Sequence, residues 1–96
     1  MIQKDEGHYR VSGSALIVDA RALLEAGSAL LLAESGKEVM LDFSAVKEVD
    51  SSALGVIFGL MRVARRCKVA LRLSNPPASL LSLASLYGVS DALPLD

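Results

Sequence analysis

The strongest constraint on the fold lies mid-chain. A short apolar run, Glu38–Phe43, gives way after the partly charged turn Ala45–Glu48 to Asp50-Ser51-Ser52, and then to the uncharged segment Ala53–Met61. A run of that length reads as a buried strand, and Asp, Ser and Ser before a long apolar segment read as a helix start. Helix starts leave backbone N–H groups without partners and carry partial positive charge. A carboxylate and two hydroxyls satisfy those donors and complement the dipole, and the same arrangement also accepts a phosphate. A strand followed by such a helix demands a sheet for the helix to lie against.

The remaining elements supply that sheet. Ile2–Lys4 and His8–Ser12 are expected to form a hairpin about the turn Asp5–Gly7. From Val18 to Ser35 the apolar residues Ala22, Leu23, Ala26, Leu30 and Ala33 recur at helical spacing, with Asp19 near the start and Gly36 past the end. The second helix is predicted over Ser51–Cys67, and an alternating strand over Val69–Leu73. Asn75-Pro76-Pro77 opens a third helix, Ala78–Tyr87, which Gly88 ends. Two strand–helix–strand passages in succession imply a partly parallel sheet with right-handed crossovers. The expected fold is therefore α/β, one domain over residues 1–96, a mixed sheet of about four to five strands flanked by roughly three helices.

Composition excludes several functions. The single cysteine, Cys67, cannot form an internal disulfide, which fits a reducing compartment. A formal net charge of −1 gives no sign of nucleic-acid binding. No apolar run approaches the roughly 20 residues that span a bilayer, and residues 1–7 lack a signal-peptide pattern, so a cytoplasmic location is expected. His8 is the sole histidine and has no cysteine or carboxylate at ligand spacing, so neither a metal site nor a cofactor is expected. Ser51 and Ser52 have no surrounding nucleophile motif and only His8 as a conceivable base, and no Gly-Lys-Ser/Thr loop is present. The chain reads as non-enzymatic, with no catalytic residue.

The second helix has apolar residues on two faces: Leu54, Ile57, Phe58 and Met61 on one, Ala53, Val56, Leu60, Val63 and Ala64 on the other. A helix packed on a sheet needs only one such stripe. With 52% hydrophobic residues in a chain of 96, too few elements are expected to cover every apolar face, which points to a partner-binding surface near the helix start. Arg62, Arg65, Arg66 and Lys68 gather at the other end, where cations complement the dipole. They read mainly as a solvated cluster, with acidic partner groups or anionic lipid head groups as the second reading. Gly55 and Gly59, four apart, suit close helix packing.

Asp50-Ser51-Ser52-Ala53-Leu54-Gly55-Val56 after a strand and turn, a later strand, and a helix ending Leu86-Tyr87-Gly88 together resemble the STAS domain of sulphate transporters and anti-sigma-factor antagonists. The resemblance spans nearly the whole chain. Tyr9–Gly13 and the ending Leu83–Pro94 are most similar to the branch that serves lipid-transporting ABC complexes maintaining the asymmetry of the Gram-negative outer membrane. It implies a mixed sheet flanked by helices, no catalytic machinery, and a partner: the ABC transporter ATPase subunit, which would hold the chain at the inner membrane's cytoplasmic face. The alternative is an anti-sigma-factor antagonist that binds a serine kinase and is switched by phosphate on Ser51. Antagonists commonly carry an acidic segment where this chain has Gly13-Ser14-Ala15-Leu16, and glycine where it has Ala53. Those departures favour a constitutive contact. The expected partner-binding residues are Asp50, Ser51, Ser52, Val56, Leu60 and Val63, with Arg62 and Arg66 as a charged rim. A nucleotide- or lipid-binding module has only the helix N-terminus and the basic end in its favour.

Overall fold

Alternation of buried and exposed residues along β2 (His8–Ala15) and β4 (Ala70–Ser74) gives the sheet one covered face. In the computed structural model, which describes residues 2–5 and 8–96, β1 (Ile2–Asp5) pairs antiparallel with β2. β2 pairs parallel with β3 (Glu38–Val49), and β3 parallel with β4, in the order β1-β2-β3-β4. The expected hairpin forms, although Glu6 and Gly7 of its turn lie outside the described residues. The helices are α1 (Ala20–Ala33), α2 (Ser52–Cys67) and α3 (Ala78–Leu86). Leu73 N–H donates to the Pro94 carbonyl (2.7 Å) and Asp96 N–H to that of Leu73 (3.0 Å), so the last residues run along β4 and shield that edge.

The main departure from expectation is β3, which continues through Ala45–Glu48, where a turn was predicted. Between Arg10 and Ser12, and again between Gly13 and Ser14, β3 contains one more residue than β2. Each extra residue makes a bulge, bends the strand and resets its inside–outside alternation. Phe43 and Val46 are buried three positions apart, and Ser44 N–H donates to Asp42 Oδ1 (2.9 Å) at the first irregularity. The predicted helix start at Val18 shifts to Ala20, because Ile17–Asp19 form a separate 3₁₀ turn.

Val11, Ala15, Leu41 and Phe43 of the sheet face Leu23 of α1 and Ala53, Val56 and Leu60 of α2 across one core. On the opposite sheet face Arg10, Ala70 and Arg72 are exposed, and Met40 and Asp42 half-buried. α2 is covered by the sheet, α1 and α3, which leaves Gly55, Arg62, Arg65 and Arg66 along its exposed strip, and α3 buries Leu80 and Ala84 fully. Val56 and Leu60, expected at a partner-binding surface, therefore lie in the core. Two glycines let α1 and α2 approach. A Cβ on Gly27 would stand 2.6 and 3.0 Å from the two methyls of Leu60, and one on Gly59 would stand 2.8 Å from a methyl of Leu24. Gly55, the other member of the predicted pair, is exposed and meets nothing.

At the N-terminal ends of the parallel strands, the Tyr9 hydroxyl donates to Glu34 Oε1, while Lys4 and Lys37 lie 3.7 and 3.5 Å from the same carboxylate. The bond to Glu34, reinforced by burial and by that negative charge, pushes the Tyr9 phenol up to about 12. The Tyr9 hydroxyl and then the lysines hold Glu34 below its usual range. This cluster ties α1 to the hairpin at the end of the sheet opposite Asp50.

Candidate partner-binding site

The start of α2 is organised by Asp50. Its Oδ1 accepts the Ser52 N–H (2.9 Å) and the Ser52 hydroxyl, and its Oδ2 accepts the N–H of Ile17 (3.0 Å), 33 residues away in sequence. The Ser52 hydroxyl bond first, then the Ile17 and Ser52 amides, hold this carboxyl below the ordinary aspartate range. The capping assigned jointly to three residues therefore belongs to Asp50. Ser51 already has helical backbone angles (φ −62°, ψ −21°) and makes no side-chain cap, and Ser52 spends its hydroxyl on Asp50. Ser51 is left exposed at the corner.

A second carboxylate braces the adjoining loop. Asp19 Oδ2 accepts the Ser14 hydroxyl (2.7 Å) and the Leu16 N–H (3.2 Å), and Asp19 N–H returns to the Leu16 carbonyl (2.8 Å). Between the two braces stand Ile17, 73% exposed, and Val18, 84% exposed. Apolar side chains so open form a small ridge on the loop that Asp50 ties to the start of α2. At Ser51 a shallow cleft of about 300 Å³ is lined by Leu54, Phe58, Tyr87 and Val89, with Leu86 exposed nearby. Sequence reasoning missed Ile17 and Val18. The available signal was an apolar pair just before Asp19, which helical periodicity from Val18 absorbed.

Two residues of the expected surface do not belong to it. Val56, 9% exposed, and Leu60, 3% exposed, point into the core, because the sheet and α1 cover that flank of α2. Arg62 and Arg66 are exposed and Val63 is half-buried, but a rise of about 1.5 Å per residue puts Arg62 roughly 16 Å and Arg66 roughly 22 Å along the axis from Ser51. Asp50, Ser51 and Ser52 are thus brought together with Ile17 and Val18. Val63 and Arg66 instead line a groove with Ser28, Leu32 and Cys67 between the two long helices. Cys67 is half-buried, its carbonyl accepting the Ser35 hydroxyl (2.9 Å).

The interior gap beneath the sheet measures about 10 Å³, room for no more than one water. Among the described residues no His, Cys, Asp and Glu cluster into a metal site, and no helix is long and apolar enough to cross a membrane.

Solved structures share this architecture. SpoIIAA, an anti-sigma factor antagonist in its unphosphorylated form, matches with a TM-score of 0.65 and 16% identity over 90% of this chain and 81% of that one. The phosphorylated form of the Bacillus cell fate determinant SpoIIAA matches at 0.66 and 15%, over 100% and 89%. A candidate anti-sigma factor antagonist from Thermotoga maritima matches at 0.76 and 16%, over 99% and 83%. The fold is that of the STAS class. Within it the family described as MlaB, STAS domain matches residues 2–95, and the chain belongs to that family. No curated protein sequence matches the chain.

Proposed function

We propose that this chain is the non-enzymatic STAS subunit of a phospholipid-transporting ABC complex, docking on the ATPase subunit on the cytoplasmic side of the membrane. The observation that carries the reading is an exposed, uncapped Ser51 standing beside the Ile17–Val18 ridge in a chain whose family match is to MlaB. Asp50 and Ser52 shape the corner, Ser51, Ile17 and Val18 meet the partner at its centre, and Tyr87 lies at the margin of the cleft. Arg62, Val63 and Arg66 form a separate outer contact, reached only by a partner that extends along α2. Burial of aromatic and aliphatic anchors at a rigid centre with charge at the rim is the usual anatomy of such interfaces.

Affinity capture of the tagged full chain from its own cells, with the captured proteins identified by mass spectrometry, tests the proposal. An ABC ATPase is expected in the wild-type sample and is expected to disappear with Val18→Glu. Recovery of a serine kinase without any ABC subunit overturns the reading. It would support instead an antagonist switched at Ser51, the alternative favoured by the SpoIIAA likeness and by the accessible hydroxyl. Under the first reading Ser51 carries no phosphate in the captured protein.

A further inference from the structure

We infer that Asp50 is a positioning residue for docking: besides capping α2, it latches the β2–α1 loop so that Ile17 and Val18 stand beside Ser51 in a fixed arrangement. The role rests on the docking surface proposed above, but the latch itself is a property of the isolated chain. One carboxylate serves two segments through different oxygens, Oδ1 toward Ser52 and Oδ2 toward Ile17. The second bond does nothing for the helix, since its donor belongs to another loop. It closes that loop from the outside, while Asp19 holds it from within through Ser14 and Leu16. Asp50 N–H also reaches the Ala15 carbonyl (3.4 Å), so the residue is tied to the end of β2 by backbone as well.

The consequence is chemical preorganisation. Ile17 and Val18, held with most of their surface in water, have little apolar contact to keep them in place. Without a tie, ordering them would be charged to the binding step as lost conformational freedom. With the latch closed, ridge and Ser51 are presented together.

The two oxygens make the latch separable from the cap. Asn at this position keeps a carbonyl for the Ser52 N–H and is as good a cap as Asp, but its second atom becomes an NH₂ that cannot accept from Ile17. Residue-resolved amide exchange by NMR on the full-length chain reads both bonds. In Asp50→Asn, Ile17 exchange is expected to rise on the order of 10-fold or more, the loss expected for a hydrogen bond to a charged acceptor, while the Ser52 amide stays protected. Asp50→Ala should release both. Unchanged Ile17 exchange in Asp50→Asn, or equal acceleration of Ile17 and Ser52, overturns the latch.

Capture of the ATPase by the same variant tests its use. A clear loss in Asp50→Asn supports positioning. Intact capture despite rapid Ile17 exchange overturns the docking role of the latch. If wild type captures no ATPase, the proposed partner is wrong, whereas the exchange result still decides whether the loop is latched.

Discussion

The packing of α1 on α2 predicts that one substitution, Gly to Ala, has different effects at two glycines. At Gly27 a methyl would meet Leu60 Cδ2 at 2.6 Å, Cδ1 at 3.0 Å and Cγ at 3.4 Å. Both methyls of Leu60 would have to shift, and at 3% exposure it has only the interior gap of about 10 Å³ to move toward. Overpacking of this kind costs about 1–3 kcal/mol, against a helix-propensity gain of about 1 kcal/mol for Ala over Gly. Gly27→Ala should therefore destabilise by between about 0 and 2 kcal/mol. At Gly59 the new methyl comes close only to the end of Leu24, at 2.8 Å, with the next atoms at 3.6 Å (Leu24) and 3.7 Å (Arg62), and Leu24 is a flexible, half-buried side chain. Gly59→Ala should be neutral or stabilise by up to about 1 kcal/mol. Leu60→Ala alone should cost about 2–5 kcal/mol through lost burial and the cavity left behind. In that background Gly27→Ala gains propensity without a clash and stabilises by about 1 kcal/mol. Urea unfolding of the four proteins in the cycle should thus return a coupling of about 1–3 kcal/mol between positions 27 and 60. If Gly27→Ala stabilises wild type as much as it stabilises Leu60→Ala, Leu60 does not occupy the space over Gly27 and the packing account is wrong.

Other outcomes follow from the same structure. Leu60→Asp should prevent folding, because it buries an unpaired carboxylate where no partner stands; a native circular dichroism spectrum and cooperative unfolding would contradict this. Tyr9 binds its phenolic proton more tightly when folded, so stability present below pH 10 should fall as pH rises from 10 to about 12. Tyr9→Phe should lack that alkaline step in denaturant midpoints measured across the range, and its persistence would assign the loss elsewhere. Asp50 and Glu34 titrate below their ordinary values, so they contribute stability above the usual carboxylate range that is lost as pH falls through the depressed values. Asp50→Asn should flatten part of this acid limb, and an unaltered limb would remove Asp50 as a cause.

Much of the fold is legible locally, because helical spacing in Ala22–Ala33 and the Asp-Ser-Ser start of α2 mark their own elements. The second half of β3 is not. Lys47 and Glu48 look like a turn, and two bulges break the alternation that would have exposed the strand. Val56 and Leu60 were expected at a partner surface because the cover that α1, α3 and one sheet face provide is a tertiary property. Gly27 reads in sequence as a weak point in a helix, and only Leu60 opposite gives it a purpose. At the site, Asp50-Ser51-Ser52 announces a helix start, whereas the division of labour depends on Ser51 adopting helical angles and on a bond to Ile17 from a distant loop. Arg62 and Arg66 lie close to Ser51 in sequence but far along one axis, and helix geometry alone separates them.

On the proposed function, the corner of Ser51, Ile17 and Val18 docks on an ABC ATPase. The most direct test is the affinity of the purified ATPase for wild type, Val18→Glu and Arg66→Glu, each first shown to unfold at the wild-type denaturant midpoint. Wild type should bind, Val18→Glu should lose about 10-fold or more, and Arg66→Glu should change a few-fold at most. Full affinity in Val18→Glu with binding abolished in Arg66→Glu would move the interface to the far end of α2 and rule out the Ser51 corner as its centre.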